Sequence, residues 1–320
     1  MATAEQIKSL VRSHFNDDLE GFYTIALQVA AHEARQGHKA LAYDIRNIVD
    51  TERKKSGPKV INFPKELSGL ILVENSSIAM SSLVVSLEIK ERLERIIIEY
   101  RQQTKLKSHG LKHRRKILLI GPPGTGKTMT AKLLGHELRL DVNTIQVDRL
   151  VTKFMGETSA KLRQIFDLIQ QEHGIYLFDE FDAIGGDRSQ ENDVGEMRRV
   201  LNAFLQFIEQ DTSDSLIIAA TNNPKLLDKA LFRRFDDVIY YENPDEKQTK
   251  NLIANVLGTY LPKNFKWAEI LNVSINLSHA EIDHAVRDGI KNAILSDKNK
   301  LSERDLLITL KERQKVHNNM

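Results

Sequence analysis

Eight consecutive residues, Gly121, Pro122, Pro123, Gly124, Thr125, Gly126, Lys127 and Thr128, spell G-x-x-x-x-G-K-T. Glycines at this spacing let the backbone curl until successive N–H groups converge on one point. A helix starting directly after such a loop adds the positive end of its dipole there. The chemistry this suits is the binding of a phosphate. Lys127 supplies a cation for the outer phosphates of a nucleoside triphosphate, and Thr128 supplies a hydroxyl for a Mg²⁺ ion riding on them. Met129 follows in the first helical turn and closes the nucleotide-binding run 121–129.

Two acids stand 52 and 53 residues downstream of Lys127, at the end of the apolar run Ile175, Tyr176, Leu177, Phe178. Carboxylates at the C-terminal tip of a buried strand lie on the edge where open α/β sheets bind ligands. Asp179 suits holding the same Mg²⁺ as Thr128, and Glu180 suits orienting and deprotonating an attacking water. Asp182 and Asp187 read as loop acids.

Other groups are ambiguous by type alone. Asn222, after the apolar run 216–220 and Thr221, either places a water near a terminal phosphate or ends a turn. Arg233 and Arg234 sit between Phe232 and Phe235 and suit either forked phosphate binding or a surface ion pair. Phe154 and Met155, in a polar turn between Lys153 and Gly156, are either tucked into a core or offered to a partner.

These groups need a scaffold, and the hydrophobic pattern outlines one. Short apolar runs at 116–120, 144–147, 175–178, 216–220 and 238–241 read as buried strands, with helical periodicity between them. The spacing predicts a helix over 86–103 with Ile89, Leu93, Ile96, Ile97 and Tyr100 on one face. Glu88/Arg92 and Glu91/Arg95 form i, i+4 pairs on its other side. Val194, Met197, Val200, Leu201, Phe204, Leu205 and Ile208 mark a long amphipathic helix after the polar, Gly-rich stretch 185–195, which reads as a mobile loop. Beyond Pro244 the pattern is helical throughout, with Ser278 and Glu281 spelling a capping box and Ser302 a further cap.

Ahead of this lie three amphipathic stripes: Ile7, Leu10, Val11, Phe15; then Leu19, Phe22, Tyr23, Ala26, Ala30, ended by Gly37; then Leu41, Ile45, Ile48, Val49. They predict a small helical bundle. His32 and Glu33 match half of a zinc-binding helix motif, but no second His follows at the required spacing, so His14, His32 and His38 read as surface residues. The chain therefore divides into an N-terminal helical domain at 1–56, a charged Gly/Pro-containing linker at 57–81, an α/β domain at 82–242 and a helical domain at 243–320.

Composition narrows the class. Forty-six basic and 44 acidic residues leave a charge of +2, which argues against a strong electrostatic grip on nucleic acid. The basic stretch 105–116 reads as a solvated loop leading into the phosphate-loop strand. There is no cysteine, hence no disulfide and no thiolate metal site. Nothing in the first twenty residues resembles a secretory signal, and no apolar run approaches the roughly 20 residues of a membrane span. A cytoplasmic protein is expected.

The order of these pieces resembles the AAA family of ATPases over residues 82–320. Residues 121–128 match its Walker A motif, and residues 175–180 match Walker B. The resemblance implies a P-loop NTPase: a parallel α/β sheet with a C-terminal helical lid, ATP and Mg²⁺ as ligands, and ATP hydrolysis as the activity. Asn222 falls at the sensor-1 position, and Arg233 and Arg234, 11 and 12 residues later, fall where the family carries arginine fingers. The spelling Leu231, Phe232, Arg233, Arg234, Phe235, Asp236 is similar to the compact form in katanin and spastin. Lys153, Phe154, Met155 and Gly156 look like the pore loop that grips a substrate, and 185–195 resembles the second pore loop. His279 departs from the pattern, standing where many members carry glycine at the start of the lid helix; Arg287 reads as a surface charge.

Further expectations follow from the resemblance: a homo-oligomeric ring, usually a hexamer, with arginines supplied by the neighbouring subunit, threading a protein segment through its pore. The layout also resembles small bacterial stand-alone AAA proteins encoded beside a subtilisin-like protease. That implies a protease partner and a role in phage defence. The rival readings are a nucleotide switch that gates an effector and a nucleic-acid-dependent ATPase using 105–116.

Overall fold

The computed structural model describes residues 4–15, 19–55, 69–74, 80–153, 157–184, 191–224 and 229–318, together with Leu67 and Ile78. The chain forms two compact units, 1–63 and 64–320.

The first unit holds three helices, α1 (Ala4–Phe15), α2 (Leu19–Arg35) and α3 (Lys39–Lys55), with α2 packed on both others. Gly37 takes φ +91° directly after α2, and His38 N–H returns to Glu33 O at 3.0 Å, so the glycine ends the helix as its type predicts. The core is small: Tyr23, Ala26 and Val49 are buried, with Leu10, Phe22, Leu27 and Ile45 half-buried around them. Ile7, Val11, Leu41 and Ile48, expected on the inward stripes, are exposed. Helical periodicity marks a face wider than the strip two short helices share. Glu33 is buried and bonds His38 Nδ1 at 2.6 Å, and no metal-holding cluster exists among the described residues.

The second unit is built on six strands: β1 (Ile71–Glu74), β2 (Lys116–Ile120), β3 (Val142–Gln146), β4 (Ile175–Asp179), β5 (Leu216–Thr221) and β6 (Asp237–Tyr240). Their order is β1-β3-β4-β5-β2-β6, parallel except for β1. Strand β1 lies inside the stretch expected to be linker. Its four residues pair antiparallel with β3, Ile71 opposite Ile145, and leave Leu72 and Val73 exposed. So short an edge strand beside a Gly/Pro-containing segment carries no period for a pattern search to find. The third and sixth strands begin two residues and one residue earlier than their apolar runs predict.

Both faces of the parallel strands are covered, which is why they read as continuous apolar runs. Alternate residues serve opposite layers. Ile117, Leu119, Leu177, Ile218 and Ala220 join a core with Ile89, Leu93, Ile96, Ile97 and Tyr100 of α4 (Leu87–Arg101). The short helix α5 (Gln103–Ser108) follows, and α6 (Lys127–Leu138) adds Ala131 and Leu134 to the same layer. On the other face Phe178 meets Phe166 of α8 (Thr158–Gln171) at 5.9 Å and Phe204 of α9 (Glu191–Gln210) at 5.1 Å. The short α7 (Val147–Lys153) joins β3 to this layer ahead of α8. Because α9 begins at Glu191, the last five residues of the expected loop 185–195 are helical; 185–190 lie outside the described residues.

After α10 (Lys229–Phe232) and β6, the chain forms α11 (Glu246–Leu257), α12 (Ala268–Val273), α13 (His279–Leu295) and α14 (Glu303–Asn318). They share their own core of Ile253, Leu257, Ile270, Ile282, Val286, Leu301, Leu306 and Leu310. The capping box predicted at Ser278 and Glu281 is formed, and Ser302 Oγ accepts Asp305 N–H at 3.2 Å.

In the basic stretch 105–116, Lys105, Lys107 and Lys112 are exposed, as a solvated loop predicts, while Arg114 is half-buried and Arg115 buried. Lys107 pairs with Asp214 at 2.7 Å, Arg114 with Glu99 at 3.0 Å, and buried Arg115 with fully buried Asp211. Asp236 Oδ2 accepts the backbone N–H of Arg115 at 3.0 Å and of Lys116 at 2.9 Å. On α4, Arg92 meets Glu88 at 3.7 Å, while Arg95 meets Glu99 at 3.6 Å rather than the expected Glu91. Removing one partner of a buried ion pair strands the other charge without water. Asp211→Ala is therefore expected to cost about 3–5 kcal/mol, read as a lowered urea midpoint at unchanged m-value.

Candidate active site

Strand β5 lies between β2 and β4, so the C-terminal tips of all three stand side by side. The first tip carries the glycine loop, the last carries Asp179 and Glu180, and Asn222 follows the middle one. Three glycines bring the loop against three different elements. A Cβ on Gly121 would fall 2.3 Å from Tyr241 O, one on Gly124 2.8 Å from Ser278 Oγ, and one on Gly126 3.3 Å from Leu83 Cδ1. Gly124 and Gly126 also take φ +75° and +101°, which L side chains rarely adopt. Ala280 N–H, in the first turn of α13, donates to Gly124 O at 3.0 Å and ties the helical domain to the loop.

Lys127 opens α6 with its ammonium folded back into the loop, donating to Gly121 O at 2.7 Å and Pro122 O at 2.8 Å. Burial lowers its pKa, and the charges of Asp179 and Asp182 oppose that shift. A phosphate in the loop would offer this desolvated ammonium an anionic acceptor in place of two neutral carbonyls. Thr128 Oγ1 donates to Asp179 Oδ2 at 2.8 Å, so the two residues expected to share a divalent cation already meet.

Glu180 is exposed and held at φ +51°, a left-handed conformation that costs a non-glycine residue roughly 1–2 kcal/mol. The surrounding turn over-determines it. Glu180 N–H donates to Asp179 Oδ1 at 3.0 Å, Ala183 N–H returns to Glu180 O at 2.9 Å, and fully buried Phe181 packs on Phe204 at 4.5 Å. Asp182, read as a loop acid, instead reaches the tip of β5. Its Oδ1 accepts Thr221 Oγ1–H at 3.2 Å and Asn222 N–H at 3.1 Å.

These groups line a cleft of about 940 Å³, the volume of a nucleotide-sized site. Its floor is the loop from Pro123 to Met129 with Asp179, Glu180 and Asn222; one wall is Ser81, Ser82, Leu83 and Val84. The opposite wall comes from α11 (Leu252, Asn255, Val256) and α13 (His279, Ala280, Asp283, Arg287). Leu83, Val84, Leu252 and Val256 make an apolar slot suited to a base, beside the glycine cradle suited to its phosphates. Burial lowers the pKa of His279, against the opposing effects of the Val84 backbone and Asp245. Arg287 is exposed, as expected of a surface charge, bonds Asp283 at 2.7 Å and also borders the cleft. The i, i+4, i+8 spacing of 279, 283 and 287 is the signal that places all three on one helical face.

Arg233 and Arg234 do not line this cleft. They occupy the turn after α10, where Arg233 is exposed and Arg234 Nε lies 3.2 Å from Glu209 Oε2. Lys153 closes α7, and Phe154, Met155 and Gly156 lie outside the described residues. No described helix is long and apolar enough to cross a membrane.

The profile of the ATPase family associated with various cellular activities (AAA) matches residues 117–243, which contain the glycine loop, both acids, Asn222 and both arginines. An uncharacterized AAA family ATPase of Sinorhizobium fredii is 31% identical over 95% of this chain and 93% of its own length. An ATP-dependent zinc metalloprotease FtsH 1 of Methylacidiphilum infernorum is 28% identical over 79% of this chain, which spans 41% of that relative. A putative 26S proteasome regulatory subunit homolog of Methanothermobacter thermautotrophicus is 31% identical over 62% of this chain and 55% of its own length. The full-length similarity and the family profile agree with the geometry of the cleft: this chain belongs to the AAA family of ATPases, and ATP hydrolysis is its activity.

Proposed function

We propose that the chain is a ring-forming, ATP-driven protein remodeller that threads a protein segment through its central pore. The observation that carries the nucleotide chemistry is the meeting of Thr128 and Asp179 at 2.8 Å beside the Lys127 loop. In this reading the loop from Gly121 to Met129 cradles the phosphates, and Thr128 and Asp179 hold Mg²⁺. When bound, that ion supplies positive charge against the phosphate oxygens. Glu180 takes the proton of the attacking water, and Asn222 orients that water.

The ring is the natural consequence of where the arginines lie. Arg233 is exposed and outside the cleft of its own chain, so it suits the cleft of a neighbour. A hexamer is the expected closure. Lys153 closes α7 and Phe154, Met155 and Gly156 come next in sequence, ahead of α8; the four form the substrate-gripping loop in this reading. The N-terminal helices recruit substrate or partner. The internal pairing of Lys107, Arg114 and Arg115 speaks against a nucleic-acid-driven motor. The relatives named for a protease and for a proteasome subunit support work on proteins. We extend the proposal to the cytoplasm as its location, and to a subtilisin-like protease as partner in phage defence. Activation of such a protease by the wild-type ring alone tests the partnership.

Glu180→Gln is expected to keep ATP affinity and lower turnover by about 10²–10⁴-fold, since the cation ligands survive while the base is lost. Equal turnover in parent and variant removes Glu180 as the base. Arg233→Ala in an assembled ring is expected to lose roughly 10³–10⁵ in rate. Mixed with Glu180→Gln subunits, it recovers part of that activity, because one interface type then keeps both intact halves. No recovery in confirmed mixed rings rules out sharing between subunits.

Phe154→Ala separates threading from a simple nucleotide switch. Basal hydrolysis stays within about threefold, because no phosphate contact is touched, while substrate-stimulated hydrolysis disappears and Phe154→Tyr retains it. A core role would instead lower thermal stability by about 3–5 kcal/mol. A stable Phe154→Ala protein with full stimulation and full biological activity leaves the switch as the better reading.

A further inference from the structure

The catalytic tips of β4 and β5 are joined by less backbone pairing than the strands suggest. Their ladder runs from Ile175 opposite Leu216 to Phe178 opposite Ala219 and ends there. Asp179, Glu180, Thr221 and Asn222 all lie beyond that last pair. What spans the gap is the carboxylate of Asp182, whose Oδ1 accepts both the Thr221 hydroxyl at 3.2 Å and the Asn222 N–H at 3.1 Å. Asp182 is half-buried, sits two residues after Glu180, and follows Phe181, whose side chain is locked into the aromatic core. Both donors come from one strand end and the acceptor from the other, about 40 residues apart in sequence.

We propose that Asp182 is a positioning residue for hydrolysis: it fixes the amide of Asn222 relative to the carboxylate of Glu180, so that the two act on one water. This rests on the roles given above to Asn222 and Glu180. The geometry makes the coupling specific. A turn held by Phe181 alone leaves Glu180 anchored to the core but free to shift against β5. Conversely, Asn222 is exposed, and its backbone is held from the β4 side by the Asp182 carboxylate.

The test compares Asp182→Ala, Asp182→Asn, Asn222→Ala and the double variant Asp182→Ala/Asn222→Ala in full-length protein. It reads kcat, KM, the Kd of a fluorescent ATP analogue and the melting temperature. Misplacing the pair predicts a kcat lower by about 10–100-fold in Asp182→Ala. Nucleotide Kd changes by no more than about threefold, because ground-state contacts remain. Asp182→Asn keeps an acceptor oxygen and stays within about threefold of the parent. The double variant is no slower than Asn222→Ala, because Asp182 acts through that residue. Parental kcat in Asp182→Ala, or losses that multiply in the double variant, overturn the proposal. Parental kcat in Asn222→Ala instead overturns the role of Asn222 itself, which distinguishes the two failures. If Asp182→Ala does not fold, Asp182→Glu decides: reduced kcat at unchanged melting temperature and Kd supports positioning, and parental kcat overturns it.

Discussion

Three absent side chains hold this site together. At Gly121, Gly124 and Gly126 the loop backbone comes so close to Tyr241, Ser278 and Leu83 that a Cβ at the first two would collide, and at the third would crowd its neighbour. Each contact belongs to a different part of the second unit: the end of β6, the start of the lid helix α13, and the segment before α4. The phosphate cradle is therefore the place where sheet, lid and leading segment are packed against one another. The bond from Ala280 N–H to Gly124 O makes the same connection through the backbone.

Around that cradle the charges are ordered by burial. Burial lowers the pKa of Lys127, and the charges of Asp179 and Asp182 oppose that shift. Asp179 and Asp182 are each bonded to neutral donors, Thr128 on one side and Thr221 with Asn222 on the other. Glu180, between them in sequence, is exposed on a left-handed turn. Two fixed acids flanking one exposed acid suits the roles proposed above, with the exposed Glu180 left free for proton chemistry. The buried Phe181 and the hydrogen-bonded Asp182 hold the turn that carries this strained residue.

Three of the basic residues at 105–116 are likewise met by acids within the chain. Arg115 is buried against Asp211, and Lys107 and Arg114 reach acids on other elements. Asp236 caps the first residues of β2 from beside the arginine turn. Arg92, on α4, pairs with the adjacent Asp237. The turn carrying Arg233 and Arg234 is thereby braced against the strand that leads into the phosphate loop. That bracing suits the contribution to a neighbouring subunit proposed for Arg233 and Arg234.

The chemistry-bearing residues were legible wherever their signal is local. The glycine loop is contiguous, and the acids end an apolar run. The capping box at Ser278 and Glu281 spans four residues. Buried parallel strands and the face of α4 from Ile89 to Tyr100 announce themselves because burial on a regular element imposes a period. What the linear pattern could not show depends on neighbours far along the chain. Asp182 looks like any loop acid until folding brings Thr221 and Asn222, 39 and 40 residues on, within hydrogen-bond distance. Arg287 is the surface charge it looks like, but only the packing of α13 against the glycine loop puts it on the rim of the cleft. The edge strand at 71–74 is too short to carry a period, and its partner lies some seventy residues away. In the N-terminal helices periodicity named a broad apolar face, but only packing decided that Tyr23, Ala26 and Val49 go inside while Ile7, Leu41 and Ile48 stay exposed. Residue type and spacing thus determined which groups can hold and hydrolyse a nucleotide, because that chemistry needs particular atoms in order. Tertiary structure decided which groups aim and wall the site, because those roles belong to whatever the fold carries within a few ångströms.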